Sequence, residues 1–487
     1  MKLLAYSGII VFIISTLVIS NGYSQPAIQW AKCYGGTGDD KAHSIDKGWG
    51  GGYVIAGSQY SCQHGQHDMS VIKVDNSGNV SWSKCYGGGG VDIAYSILRI
   101  KGETDSGYIV AGTTLSNDGD VTGNHGFHDV WVIKTDASGN LMWQKTLGGS
   151  ANDVAWSIKQ TRDGGFIVAS ETESNDGDVS GNHGMRDYWI VKLDKTGNIM
   201  WEKAYGGSLD EYPLSIDVTN DGGFIVAGSA TSSDGDVSSI LGMADYWLVK
   251  LDSVGTIQWE KSYSGFGIDY ATSVVQTKDS GYVISGQSSY NPNNDGKFHS
   301  VIKIDKYGAI QWSAKPGRTL DAIQTTSGDY VSIHSDTSGY VVNKMNNNGI
   351  QSWSKSMGGS VGEVPEDILQ TDDGGYAIAG YTGSNDGDVT GNHGSWDFWV
   401  VKLAPDPTEV RALETGGAIR LYPNPAGNEI HFSKKVNVRL LSISGQLLDE
   451  QENVDGLNIS SHAAGLYFAV FYNKWGHIIQ SAKLVKE

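Results

Sequence analysis

The sequence predicts an all-β fold: a seven-bladed β-propeller of four-stranded antiparallel blades, closed by the N-terminal strand and followed by a small C-terminal β-sandwich. Three observations predict it. A strand containing Trp and Lys recurs from Trp30 to Trp353, tight-turn signals recur with it, and 66 glycines stand against 9 prolines in 487 residues. That glycine content is about twice the usual ~7 %. With 15 Trp and 24 Tyr, collagen and disorder are both excluded. The charge, 35 basic against 54 acidic residues for a net −19, excludes a nucleic-acid partner, because phosphate binding needs a basic patch.

Residues 1–24 read as a signal peptide, with Lys2 ahead of the apolar run Gly8 to Ser20. A membrane anchor is the competing reading, but the run is short for a span of ~20 residues. No other long apolar run exists, so the mature chain is expected to carry no transmembrane segment and to be a monomer. Three cysteines, Cys33, Cys62 and Cys85, allow one disulfide at most. Cys62 would pair with Cys85 or Cys33 on the loop face, or all three thiols stay free.

The repeat occupies 26–403. Its Trp residues are Trp30, Trp82, Trp143, Trp201, Trp259, Trp312 and Trp353, at spacings that fit one propeller blade per period. In one unit, Trp156 to Thr161 leads through Asp163-Gly164-Gly165 to Phe166 to Ser170. A longer loop precedes Tyr188 to Asp194, and Lys195 to Asn198 turns into Ile199 to Lys203. D-G-G and D-x-x-G supply glycine where φ must be positive, so both joins read as hairpins. This phasing gives six complete meanders and a seventh that stops after Phe398 to Leu403. The orphan Ile28 to Lys32 would complete that blade and close the ring, removing open edges.

The loops between strands 2 and 3 share a face with the inter-blade links. Four of them carry Asp-Gly-Asp: Asp118/Asp120, Asp176/Asp178, Asp234/Asp236 and Asp386/Asp388. Alternating carboxylates in a short loop resemble the start of a calcium-binding loop, so calcium is the candidate cofactor, although no closing Glu follows. The competing reading has them bonding backbone N–H groups. Three of these loops continue to His125, His183 and His393, four residues before Asp129, Asp187 and Asp397; the histidines are expected to hydrogen-bond within the loop. A second acidic set, Asp40, Asp92, Asp153, Glu211, Asp269 and Glu363, opens strand 1. It would either ring the channel mouth with negative potential or accept backbone hydrogen bonds at blade junctions. Strand-3 lysines such as Lys192 are expected to cover blade surface with a wet ammonium, with nearby Asp residues as partners. Blade 6 is shortened and carries Arg318, His334 and Asp336, a notch suited to a ligand or a decayed repeat.

Residues 404–417 read as a linker, and 418–487 as a separate module. Leu421-Tyr422-Pro423-Asn424-Pro425 is followed by alternating strands, an S-G-Q turn, Gly465-Leu466-Tyr467 and a Lys-rich end at Lys483. This segment resembles the type A C-terminal sorting domain of the type IX secretion system of Bacteroidetes. The resemblance implies partners in the Sec and type IX machinery, removal of the domain, and a product secreted or attached to the outer cell surface. The repeats look like Gly/Trp-rich propeller repeats of such exported proteins, which implies a fold but no activity. No catalytic signature is present. The expected function is a non-catalytic propeller binding a glycan or protein ligand. The alternatives are a polysaccharide-acting enzyme on the 2–3 loop face, which needs two carboxylates ~5–10 Å apart, and a structural surface protein.

Overall fold

Each repeat alternates β-branched or aromatic residues between turn signals, and each folds into one four-stranded antiparallel sheet. The computed structural model describes residues 25–487 apart from 61, 63–64, 103–105, 264–266, 289–299, 408–418, 444–445 and 474–477. The signal-peptide reading, most of the expected linker and two residues of the S-G-Q turn lie outside the described residues. Every element in the described residues is a strand; none of them forms a helix long and apolar enough to cross a membrane. The chain divides into two units, ending and beginning at Asp406 and Pro407.

The first unit holds seven four-stranded sheets, numbered here in chain order. Their first strands are Asp40–Lys47, Asp92–Arg99, Asp153–Gln160, Glu211–Val218, Asp269–Gln276, Thr319–Gln324 and Glu363–Gln370. Sheet 3 continues with Phe166–Thr172, Asp187–Leu193 and Ile199–Tyr205. Its two hairpins form as the turn chemistry dictates. Asp163 accepts the Gly165 N–H (3.0 Å), and Asp194 accepts those of Thr196 and Asn198 (2.8 and 2.9 Å). Sheet 7 has three strands of its own, and its fourth is Ile28–Tyr34, with Trp30 opposite Lys402 and Tyr34 opposite Phe398. The first strand of the unit therefore completes its last sheet.

Apolar clusters fill each space between consecutive sheets. Trp189 and Phe166 of sheet 3 pack on Ile109 and Val132 of sheet 2. The cluster that joins the ends of the ring contains Ile45 and Ile55 of sheet 1 with Ala379 and Val400 of sheet 7. The outer strands also interlock. Gly197 in the outer turn of sheet 3 has φ +82°, and a Cβ there would come within 3.0 Å of the Trp143 ring of sheet 2. The Tyr86 hydroxyl of sheet 1 likewise donates to the Gly139 carbonyl of sheet 2 (2.5 Å). The Trp repeat and the glycine repeat are thus two halves of one contact, made between neighbouring sheets.

The strand-3 lysines depart from expectation. Four of them, Lys192, Lys250, Lys303 and Lys402, are buried rather than wet, because the hairpin turn between strands 1 and 2 brings the expected Asp to each ammonium. Lys192 meets Asp163, Lys250 meets Asp221 and Lys303 meets Asp279, all at 2.9 Å, and each also donates to the carbonyl of the following residue. Sheet 1 has no such Asp, and Lys73 donates to Gly51 and Val74 carbonyls instead. Cys62 is bonded to Cys85 and Cys33 is free; burial pushes the Cys33 thiol up to about 12.

In the second unit, Leu421–Tyr422, Glu429–Ser442, Leu447–Asn458, Gly465–Tyr472 and Ile478–Lys486 form one hydrogen-bonded sheet rather than two separate ones. The long strand Glu429–Ser442 runs through both halves, with irregular register between His431 and Val436. The module closes where Ala426 bridges Lys486. Asn424 clasps it there, donating to the Lys483 carbonyl (2.7 Å) and accepting the Val485 N–H (2.9 Å). Phe432, Leu440 and Phe471 fill the core, Tyr467 donates to the Ala463 carbonyl (2.6 Å), and Lys483 is exposed.

Deleting residues 25–34 removes the strand that covers the Asp397–Leu403 edge. The expected result is a Tm lowered by at least ~10 °C and concentration-dependent association through the bare edge. A peptide of residues 26–35 added in trans should restore the monomer. Light scattering and thermal melts check this, and an unchanged monomeric chain would refute the pairing.

Candidate functional site

The first strands line the central channel, and one local irregularity decides what they present to it. In all seven the register shifts by one residue around a single position, as between Ala42 and Ser44, Ala155 and Ser157, or Thr319 and Asp321. A β-bulge leaves one residue unpaired and re-aims its side chain. The bulged residues are His43, Tyr95, Trp156, Leu214, Thr272, Leu320 and Glu366, and all seven line one cavity of about 280 Å³.

The residue after the bulge stitches the ring. Ser44 Oγ accepts the Ile97 N–H of sheet 2 (3.2 Å), Ser96 that of Ile158 (3.3 Å) and Ser215 that of Val274 (3.1 Å). Asp321 accepts from Ile368 (3.2 Å), and Asp367 from both Ile45 N–H and Ser44 Oγ (2.9 Å each). Each side chain satisfies a backbone donor that has no strand beside it.

The channel wall is lopsided. Tyr381, His43, Tyr95 and Trp156 form an aromatic arc across sheets 7, 1, 2 and 3, with successive ring centroids 6.5, 5.2 and 4.6 Å apart. At the same bulge position, sheets 4 to 6 carry the non-aromatic Leu214, Thr272 and Leu320. Trp156 Nε1 donates to Glu171 (3.1 Å). Beyond it, Arg186 pairs with Glu173, donates to the Tyr212 hydroxyl (2.6 Å) and lies over that ring. His43 Nδ1 lies 3.9 Å from Glu366. Burial in the channel pushes Glu366 up to about 8, with Asp367 beside it adding repulsion, and pushes Glu171 up to about 7. The same burial, with Lys41 nearby, lowers His43 to about 4. At neutral pH, Glu366 is a hydrogen-bond donor and His43 is uncharged. Aromatic faces beside neutral donors and acceptors suit a ligand with both apolar and hydroxyl-bearing surfaces.

The residues singled out from sequence lie elsewhere. The acidic set at the start of strand 1 does not ring an open mouth: Asp40, Asp92, Asp153, Glu211, Asp269 and Glu363 are buried. Asp153 accepts the Gly149 N–H and Ser174 Oγ (2.8 Å each) and also the Thr172 hydroxyl. Asp92, Glu211, Asp40 and Glu363 bond Gly88, Gly207, Gly36 and Gly359 in the same way, and Asp269 accepts from Ser288. The Asp-Gly-Asp carboxylates pin the inter-sheet links. Asp118 accepts the Gly89 N–H, Asp176 that of Ser150, Asp234 that of Ser208 and Asp386 that of Ser360, at 2.6–2.8 Å. Asp120, Asp178, Asp236 and Asp388 reach Gly87, Gly148, Gly206 and Gly358 at 3.2–3.4 Å. Among the described residues, no group of three or more His, Cys, Asp and Glu is placed to hold a metal. His125, His183 and His393 bond Asp129, Asp187 and Asp397 at 2.6–2.7 Å.

In sheet 6, His334 is buried against Gly317, which stands where other sheets have the acidic residue, and its Nδ1 meets Asn343 (3.1 Å). Asp336 caps a tight turn at Ser338 (2.7 Å). Arg318 is exposed. The shortened repeat replaces a buried carboxylate with a buried imidazole; it does not gather these residues into a cleft.

The arc was missed from sequence, although a signal for it exists. Strand 1 reads A-H-S-I, A-Y-S-I, A-W-S-I, P-L-S-I, A-T-S-V, T-L-D-A and P-E-D-I in the seven sheets. Its second letter never repeats among the first three sheets, within an otherwise repeating frame, and that is the channel position.

Residues 420–487 match the model of the secretion system C-terminal sorting domain. The regulatory protein FlaEY of Caulobacter vibrioides is 24 % identical over 202 residues, which are 39 % of this chain and 20 % of that protein. The chain thus spans about a fifth of the length of that relative. Among solved structures, BamB from Moraxella catarrhalis shares 15 % identity over 76 % of this chain and 85 % of its own, with a TM-score of 0.36. A catalytically inactive virginiamycin B lyase from Staphylococcus aureus with quinupristin shares 13 % over 77 % and 99 %, with a TM-score of 0.46.

The raised Glu366 value has a consequence for stability. An unfolded Glu titrates near ~4.3, so between about pH 4.5 and 8 the folded chain holds a proton that the unfolded chain has released. Stability is present below that window and lost as pH rises through it. Glu366→Gln should therefore melt several degrees above the parent at pH 9, with the gap closing by pH 5. Parallel Tm–pH curves would refute it.

Proposed function

We propose that this chain is a non-catalytic β-propeller, secreted or held at the cell surface, that binds a glycan at the aromatic arc of its central channel. The sorting tail at 420–487 implies export by the type IX secretion machinery and a secreted or surface location. The observation that carries the ligand reading is the arc itself. Tyr95, Trp156 and Tyr381 are partly exposed and stand on bulges or strand ends held by the ring, so their faces are fixed before a ligand arrives. Sugar rings present apolar C–H faces to aromatic planes and hydroxyls to polar neighbours, here Glu366, Glu171, Arg186 and Glu173. An interface for a protein partner fits less well, since the aromatic surface is concave and channel-sized, whereas stable protein interfaces bury roughly 800 Å² per partner.

A glycan array probed with the full chain should give hits, and calorimetry with the best hit should show a single site. Trp156→Ala and Tyr95→Ala are expected to weaken that affinity at least tenfold, or about 1.4 kcal/mol, with Tm changed little. A glycan that is bound equally by both variants would displace the site, and release of shorter products would replace the reading with an enzymatic one. Deleting residues 420–487 should leave the protein inside the outer membrane, as cell fractionation reads directly.

A further inference from the structure

The channel opens at its other end, on the hairpin-turn face, into a second cavity of about 560 Å³. Four cations of sheets 2 and 3 line it, Arg99, Lys101, Lys159 and Arg162, in a chain whose net charge is −19. The two carboxylates that share the lining are already committed. Asp46 accepts the Lys47 and Arg99 backbone N–H groups (2.7 Å each), and Asp217 those of Val218 and Gln276 (2.9 and 2.8 Å). Burial raises the Asp217 value although Lys159 and Lys101 pull the other way, so this carboxylate feels both cations without closing an ion pair with either. Among the described residues, no carboxylate forms an ion pair with any of the four cations.

Two of the cations are fixed in place. Arg162 donates to the Asn220 carbonyl across the sheet junction (2.7 Å), and the Arg99 guanidinium lies 5.4 Å from the Trp49 ring centroid. Lys159 belongs to both cavities, being part of the channel lining as well. Cations that lack an ion-pair partner, two of them held in place, around a space in the usual range of small-ligand pockets (~300–1,000 Å³) suit an anion larger than a single ion.

We propose that this turn-face cavity binds a sugar-sized ligand carrying an oxyanion, a sulfate, phosphate or carboxylate group, with Lys159 and Arg162 as the groups that contact the charge. The guanidinium fork of Arg162 matches the geometry of such a group, and Lys159 adds a point charge from the channel side. This site is independent of the glycan reading at the arc, because neither Tyr95 nor Trp156 takes part in it.

Calorimetry on the full chain at low salt tests it, with glucose 6-sulfate, glucuronic acid, glucose and inorganic sulfate as probes. The charged sugars should bind and glucose should not, with affinity falling as salt is raised. Lys159→Gln and Arg162→Gln should each weaken glucose 6-sulfate at least tenfold. The Arg162 variant guards against a folding defect in the channel variant, and melts of both report it. Equal binding of glucose, inorganic sulfate matching the sugar sulfate, or binding indifferent to both substitutions would each overturn the proposal.

Discussion

A strand at the centre of a ring has one edge with no strand beside it, and its backbone donors there must be satisfied some other way. The chain answers with side chains. A Ser or Asp just after the bulge of one sheet takes the N–H of the next, from Ser44 to Ile97, Ser96 to Ile158, and back through Asp367 to Ile45. These bonds set how closely the inner strands approach. The bulge beside them frees one residue per sheet to face the channel, so the same few atoms that hold the ring decide what it can bind.

Repetition and variation therefore divide the labour. Positions that recur hold the scaffold: the Asp or Glu that receives a link, the lysine buried on a turn carboxylate, the Trp laid over a neighbouring glycine. Positions that vary carry chemical character. The channel has an uncharged aromatic wall at its bulges and a cationic cavity beneath, joined at Lys159. Neither follows from the overall charge, because most of the acidic residues discussed above are spent on backbone donors.

Much of the fold was legible in the sequence because turn chemistry is local. Asp163-Gly164-Gly165 and Asp194 to Asn198 announce hairpins without reference to anything distant, and counting hairpins exposes Ile28 to Lys32 as a strand lacking a sheet. The site was less legible because the bulge is not. A period-two pattern cannot show that Tyr95 or Trp156 leaves the pleat, and it cannot tell whether Asp153 faces water or a ring of N–H donors. The same ambiguity made the strand-3 lysines read as wet surface residues: their Asp partners were expected, but not that the pair would be buried. Blade 6 misled for a different reason: His334 is unusual because it fills the place of a carboxylate, and unusual residues in a repeat draw attention whether or not they reach solvent.

The pairing of Ile28–Tyr34 with Asp397–Leu403 also orders events in time. Contacts so far apart in sequence form late, after local hairpins have condensed. A ring sealed by its own first strand cannot be finished until its last repeat is there to pair with it. Closure is thus a checkpoint on completeness, passed only when both ends of the repeat region are present.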